Sequence, residues 1–134
     1  ILEEAVLYDT MEAVSGRLEV FKLFLNDGEV DMVVRDRDAL TCVLVEVKHS
    51  DRRYGTQTRH LRNSRITSYV EDRFGRVVGR YVLYRGEDAE EGCVKYLNVE
   101  EYLRNLPGSA HLLFRPRCHR SGLTYGMYEM SNTR

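Results

Sequence analysis

Hydrophobic and polar positions follow a helical spacing at the start of the chain. Residues 1–14 (ILEEAVLYDTMEAV) carry apolar side chains three or four positions apart, which predicts a helix that ends near Ser15-Gly16. Its apolar side comprises Ile1, Ala5 and Tyr8, with Leu2 and Val6 adjacent. The first element is therefore expected to be an amphipathic helix.

Three strands are predicted after this helix. Residues 18–25 (LEVFKLFL) are aliphatic and aromatic, which is typical of a strand. Residues 26–28 (NDG) are a strong turn signal, so residues 29–35 (EVDMVVR) should form the second strand of a hairpin. Residues 42–48 (CVLVEVK) are mostly apolar, which favours a strand at the centre of the sheet.

Helical and extended patterns alternate again in the second half of the chain. Residues 56–73 have the spacing of one helix, and Gly75 stands where a left-handed helix cap is expected. The inward side chains of this helix are expected to be Leu61, Tyr69, Val70 and Phe74. Strands are predicted over 77–85 and 93–97, and Asn98 with Glu101 resembles the capping box of a short helix over 99–106.

This order of elements predicts an α/β fold with a mixed central sheet of about four to five strands flanked by helices. A length of 134 residues is ordinary for one domain, with a core over 1–106 and a C-terminal extension over 107–134. Residues 112–114 and 125–128 could be edge strands or packed loops. The chain begins at Ile1 and not at Met, which favours a fragment of a longer polypeptide with an upstream domain.

Composition narrows the class of protein. Hydrophobic residues make up 43% of the chain and charged residues 31%, which is typical of a globular domain. No apolar run approaches the roughly 20 residues of a membrane helix, and no signal-peptide pattern opens the chain. Cys42, Cys93 and Cys118 lack the spacing of a zinc site, which favours reduced thiols in a cytoplasmic protein, with Cys42 buried in a strand.

Charged side chains inside the predicted strands are the candidate functional residues. Glu46 and Lys48 share one side of the third strand, and Asp31 lies inside an apolar strand, where aspartate is disfavoured. Burying such charges is costly unless they are paired or bind a ligand, and Mg²⁺ prefers carboxylate oxygens. We therefore predict that Asp31 and Glu46 bind one cation, with Lys48 beside the attacking water and the scissile phosphate. The alternative is a structural ion pair within the sheet.

The order and spacing of these residues resemble the PD-(D/E)XK nuclease superfamily, through residues 28–31 (GEVD) and 45–48 (VEVK). A closer resemblance is to the nuclease-like domain at the C-terminal end of many prokaryotic AAA-type ATPases. The matching segments are 2–6 (LEEAV), 27–31 (DGEVD), 46–50 (EVKHS) and 81–86 (YVLYRG). The resemblance covers about residues 1–106 and does not extend to the C-terminal tail.

This resemblance implies a restriction-endonuclease-like core that hydrolyses DNA with Mg²⁺ or Mn²⁺ and acts as the effector domain of an ATPase. It implies that Glu3 is the acidic site residue of the first helix, which binds the metal as a supplementary ligand or holds a water molecule. If the alignment is shifted by one residue, Glu4 has this role instead. It also implies that Gln57 lies near the metal. The alternatives are that Glu3 is an ordinary acid of a first helical turn and that Gln57 faces solvent.

A basic segment follows the third strand. Arg59, Arg62 and Arg65 recur at every third residue, so they share one face of the predicted helix and could follow a phosphate backbone; a solvated helix face is the alternative. Tyr125 and Tyr128 could stack on bases, although packing is the favoured interpretation. Two other functions stay open: a non-catalytic module that binds nucleic acid or a partner, and a dimerisation domain for an upstream ATPase.

Overall fold

The structure is a computed structural model that describes residues 1–26 and 28–115. Within these ranges, six strands form one mixed sheet flanked by helices, which confirms the predicted α/β class. The elements in chain order are α1 (Leu2–Ala13), β1 (Leu18–Leu25), β2 (Gly28–Asp36), β3 (Thr41–Val47), a 3-10 helix (Gly55–Thr58), α2 (Ser64–Arg73), β4 (Arg76–Tyr84), β5 (Ala89–Glu91), β6 (Val94–Asn98), α3 (Val99–Arg104) and α4 (Gly108–Leu112). The sheet exceeds the predicted size because β5 has only three residues, too few to give a periodic pattern.

The order of strands in the sheet is β1-β2-β3-β4-β6-β5. Neighbouring strands are antiparallel from β1 to β3, whereas β4 is parallel to both β3 and β6. The carboxyl ends of β3, β4 and β6 therefore lie at one edge of the sheet. The turn between β1 and β2 lies at that same edge, because β2 runs antiparallel to β3. This edge carries the candidate site.

Both faces of the sheet are buried. One face packs against α1, α3 and α4 and includes Val34 and Val45, while the other packs against α2 and includes Leu44 and Val82. β3 is buried along its whole length, as expected for a central strand, and Cys42 is buried as predicted. Any charged side chain within β3 is consequently removed from water, which is costly unless a partner compensates for it.

The side of α1 that faces the sheet differs from the predicted apolar side. Ile1 and Tyr8 are 87% and 61% exposed, whereas Val6 and Thr10 are buried. The Thr10 hydroxyl lies 2.8 Å from the hydroxyl of Tyr102 in α3, which satisfies both polar groups inside the core. Because α1 carries apolar side chains on more than one side, their spacing did not identify the side that packs.

The prediction of a single helix over 56–73 is wrong. The chain instead forms the 3-10 helix and then a turn before α2 begins. Asn63 is the N-cap of α2. Its side chain accepts hydrogen bonds from the backbone N–H groups of Arg65 and Ile66 at 2.8 and 3.2 Å. The predicted inward residues still reach the core, with Leu61 and Val70 fully buried and Tyr69 and Phe74 packed against them.

The later strands and α3 agree with the prediction. The strands expected over 77–85 and 93–97 are β4 and β6, and the helix expected over 99–106 is α3. The Asn98 side chain caps α3 by accepting a hydrogen bond from the Glu101 N–H at 2.9 Å. Local capping and periodicity are therefore sufficient to define this part of the fold.

The C-terminal segment is only partly described. Residues 112–114 complete α4 and the turn after it, so an edge strand at this position is wrong. Tyr125 and Tyr128 lie outside the described residues. Among the helices of residues 1–26 and 28–115, none is long and apolar enough to cross a membrane.

Candidate metal centre

Asp31 and Glu46 meet where the regular pairing of β2 and β3 ends. This pairing runs as far as Met32 with Val45. Beyond it, Oδ2 of Asp31 accepts a hydrogen bond from the Val47 N–H at 2.8 Å, and the Asp31 N–H lies 3.4 Å from Oε2 of Glu46. Both acids are buried, so the two strands bring adjacent carboxylates to the edge of the sheet.

Lys48 lies at the carboxyl end of β3, beside Glu46. Its Nζ is 3.4 Å from Oε1 of Glu46, and its backbone N–H donates to the Leu83 carbonyl at 2.9 Å. The main-chain hydrogen bond continues the parallel pairing with β4 and so fixes the backbone from which the side chain projects. The side chain is 36% exposed, which leaves the ammonium accessible to a ligand from solvent.

Helix α1 brings Glu3 to the same place. The carboxylates of Glu3, Glu29 and Asp31 lie within 4.8 Å of one another. Glu3 precedes the buried Val6 by three residues and therefore shares the side of α1 that faces the sheet. Glu4 is exposed. The packing of α1 thus decides which of the two neighbouring acids joins the site.

Two residues of this arrangement, Glu29 and Lys22, were not identified from the sequence. The Lys22 Nζ lies 2.5 Å from Oε2 of Glu3 and 3.3 Å from Oε2 of Glu29. A signal for Lys22 was present, because it is a charged residue inside an apolar strand, as Asp31 is. The hairpin register brings this part of β1 next to the start of β2. We call Glu3, Glu29, Asp31 and Glu46 the carboxylate site.

Burial and mutual repulsion control protonation in the carboxylate site. Burial, together with the neighbouring charge of Glu46, raises the pKa of Asp31 from its ordinary value of 3.8 to about 7. Burial also raises the pKa of Glu46, against the opposing effect of Lys48. The pKa of Glu3 is lowered, chiefly by its hydrogen bond with Lys22. Burial therefore disfavours the ionised forms of both Asp31 and Glu46, and Lys48 offsets part of this effect at Glu46.

Gln57 is buried, and its side chain makes hydrogen bonds within the loop that follows β3. Its Oε1 accepts a hydrogen bond from the Tyr54 N–H at 2.8 Å, and its Nε2 donates to the Arg52 carbonyl at 3.0 Å. Among the described residues, Gln57 makes no hydrogen bond to the carboxylate site. Its contacts give it a role in holding the loop, and they do not support the metal-site role implied by the resemblance.

The three arginines do not share a helix face, and that prediction is wrong. Arg59 ends the 3-10 helix, Arg62 lies in the turn, and Arg65 is in α2. The Arg62 side chain is held by hydrogen bonds to the Thr58 hydroxyl at 2.8 Å and to the Glu91 carbonyl at 3.3 Å. The spacing of three does not align them, because it aligns residues only within one continuous helix and the helix is interrupted before α2.

The carboxylate site fits a hard divalent cation. Carboxylate oxygens are the protein ligands that Mg²⁺ and Mn²⁺ prefer. The raised pKa of Asp31 also means that the site takes up a proton readily when no other cation balances its charge. Glu3, Glu29 and Asp31 place their oxygens close enough together to hold such an ion. Glu46 lies beside Asp31 and could contribute a further oxygen.

Comparisons of the chain with protein-family models, with curated proteins and with solved structures find no match. Its function is therefore inferred from the residues and contacts of the carboxylate site and its surroundings. These residues come from α1, from the β1–β2 hairpin and from the end of β3.

Proposed function

We propose that this chain is a metal-dependent phosphodiesterase that hydrolyses DNA and has a restriction-endonuclease-like core. The observation that supports this most strongly is the pair of buried acids, Asp31 and Glu46, with the Lys48 ammonium 3.4 Å from Glu46. A purely structural ion pair would bury one acid with one base. Here two acids are buried side by side, and the partly exposed Lys48 pairs with Glu46. Burying two adjacent carboxylates is costly without a cation.

Asp31, Glu46 and Glu3 would hold the ion in this proposal. When bound, Mg²⁺ or Mn²⁺ would polarise a phosphoryl oxygen and lower the pKa of an attacking water. Asp31 has a second task, because its Oδ2 also accepts a hydrogen bond from the Val47 N–H at 2.8 Å. That hydrogen bond holds the carboxylate in place at the end of β3 before a cation arrives.

Lys48 would act on the substrate and would not bind the cation, because an ammonium has no lone pair to donate to a metal. Its position beside Glu46 and its exposure to solvent suit it to orient a water molecule and to offset the negative charge that develops on the phosphate. Glu46 would in turn position Lys48 through their ion pair.

The order of the elements also supports the proposed architecture. α1 precedes three strands, and α2 then crosses over to β4, which lies parallel to β3. This is the succession that the resemblance to PD-(D/E)XK nucleases implies for residues 1–106. The same resemblance leads us to propose that the domain is an effector of an ATPase domain in the same polypeptide.

A plasmid-nicking assay tests the proposed activity. Supercoiled DNA should be converted to nicked or linear forms in Mg²⁺ or Mn²⁺, and it should stay supercoiled in EDTA. The Asp36→Asn variant is a matched control, because Asp36 is a second buried aspartate of β2 that lies outside the carboxylate site. DNA binding that is sensitive to salt and is not followed by cleavage would favour the non-catalytic binding module instead.

Among the three arginines of the basic segment, Arg59 adjoins in sequence a residue that contacts the β1–β2 hairpin. The imidazole of the adjacent His60 packs on the β1–β2 turn, since a Cβ added to Gly28 would lie 2.5 Å from His60 Nε2. Glu29 of the carboxylate site follows Gly28 directly, and Arg59 is exposed. We propose that the Arg59 guanidinium neutralises a phosphate of a strand that reaches the carboxylate site.

We expect Arg59→Ala to weaken binding to all DNA sequences alike and to lower the slope of log affinity against log salt by about one. The physical reason is that a phosphate contact releases a counterion but reads no base. Fluorescence anisotropy at several salt concentrations, in EDTA to prevent cleavage, measures this slope. Arg104→Ala is the control, because Arg104 is an exposed arginine of α3 paired with Glu101. An unchanged slope in Arg59→Ala would rule out this phosphate contact.

A further inference from the structure

We infer that the Lys22 ammonium is an internal counter-ion of the carboxylate site, and that it competes with the divalent cation for Glu3 and Glu29. Lys22 would thereby set the affinity of the site for metal. This inference rests on the proposed function, and it assigns a role to a residue of β1 that takes no part in the mechanism described above.

The contacts of Lys22 place a positive charge among the oxygens that a metal would need. Its Nζ is 2.5 Å from Oε2 of Glu3 and 3.3 Å from Oε2 of Glu29. Both of these carboxylates lie within 4.8 Å of the Asp31 carboxylate. The ammonium therefore already neutralises part of the negative charge that would attract a cation.

Hydrogen bonding and metal binding use the same lone pairs of a carboxylate. A short hydrogen bond from Lys22 to Glu3 consequently weakens Glu3 as a metal ligand, and two positive charges so close together repel each other. We expect the ammonium to leave Glu3 when the cation binds. The ring of Phe24 offers it another position, because Phe24 is exposed and Lys22 Nζ already lies 5.5 Å from the ring centroid.

Lys95 provides a matched control for Lys22. The two lysine side chains are exposed to the same extent, 24% for Lys95 and 25% for Lys22, and each pairs with a glutamate. Lys95 lies in β6 and contacts Glu90 at 3.9 Å, outside the carboxylate site. Replacing Lys95 therefore removes a comparable surface charge without freeing any of the carboxylates of the site.

The test is calorimetric titration of the full chain with Mn²⁺ at constant pH. We expect Lys22→Met to bind Mn²⁺ at least about tenfold more tightly than the wild type, because a nearby positive charge is removed and Glu3 is released. Lys22→Arg, which keeps the charge, should bind Mn²⁺ as the wild type does, and so should Lys95→Met. Thermal unfolding gives a second result: the rise in Tm on adding Mn²⁺ should be larger for Lys22→Met than for the wild type.

The outcomes separate this inference from the proposed function. If Lys22→Met and the wild type bind Mn²⁺ equally, the inference is wrong and the metal site stands. If neither protein binds Mn²⁺, both are wrong. If Lys22→Met does not fold, the wild type can be tested directly. In nuclear magnetic resonance spectra, the side-chain ammonium signal of Lys22 should change on titration with Mg²⁺. An unchanged signal in a protein that binds Mg²⁺ would overturn the inference.

Discussion

Replacing Lys48 with alanine is expected to reduce DNA cleavage by at least about a hundredfold while Mn²⁺ binding stays intact or becomes tighter. The ammonium stabilises negative charge that develops on the phosphate, but it cannot act as a metal ligand. Its removal also takes away a positive charge that lies 3.4 Å from Glu46. Asp31→Asn and Glu46→Gln should behave differently, because each removes a carboxylate ligand and should weaken metal binding and cleavage together.

Calorimetric titration with Mn²⁺, run beside the nicking assay on the same preparations, measures both properties. Lys95→Ala is the control for loss of a lysine outside the site, since its ion pair is with Glu90 in the β5–β6 hairpin. A Lys48→Ala variant that cuts DNA at the wild-type rate would refute the proposed role of this residue. Such a result would also point to a contaminating nuclease if Asp31→Asn cut equally well.

The second large effect concerns stability, and it does not require any metal. We expect Asp31→Asn to raise the free energy of unfolding at pH 8 by up to roughly 4 kcal/mol, measured in EDTA. This value corresponds to the rise in the pKa of Asp31 from 3.8 to about 7. Asparagine carries no charge to bury, and its side-chain oxygen can still accept the hydrogen bond from the Val47 N–H.

The sign of this effect follows from proton binding. Because the folded state holds the Asp31 proton up to about pH 7, whereas the unfolded state loses it near pH 4, the folded protein binds more protons across this window. The contribution of Asp31 to wild-type stability therefore falls as pH rises from about 4 to 7 and stays low above it. The stabilisation by Asp31→Asn should be small at pH 4 and fully developed at pH 8.

Asp36→Asn is expected to have the opposite effect, which makes it a sensitive control. A hydrogen bond from Arg17 lowers the pKa of Asp36, which also accepts backbone hydrogen bonds from Asp38 and Ala39. Its ionised form stabilises the fold at neutral pH, and this contribution is lost as pH falls below the ordinary pKa of an aspartate. Urea unfolding at pH 4, 6 and 8 measures the pH dependence of the Asp31→Asn effect and the opposite sign of the Asp36→Asn effect at neutral pH. An Asp31→Asn effect that does not change with pH would contradict the argument.

The difference between these two aspartates has a functional meaning under the proposal. Asp36 has its positive partner within the protein, whereas Asp31 is buried beside another acid. Under the proposal, cation binding offsets the cost of burying Asp31 beside Glu46, because sites that bind cations often cost stability when the cation is absent. Adding Mn²⁺ should therefore raise the Tm of the wild type more than that of Asp31→Asn.

Local sequence patterns were sufficient for most of the fold. β1 to β4 and β6 were predicted because their apolar runs are bounded by turn residues, and Asn98 marked the start of α3 because its side chain satisfies a helix N–H group. The alternation of side chains along β3 also put Glu46 and Lys48 on one side, and they form an ion pair. Each of these features depends on residues only a few positions apart.

Only the tertiary structure decided which side of α1 is buried, and with it the composition of the carboxylate site. The resemblance favoured Glu3 and left Glu4 as the alternative, and the packing of Val6 and Thr10 against the sheet places Glu3 near Asp31. Lys22 meets Glu3 across 19 positions of the chain, and Asp31 meets Val47 across 16. No local pattern reports such contacts, because they depend on how a helix and two strands pack together and not on the spacing of residues within any one of them.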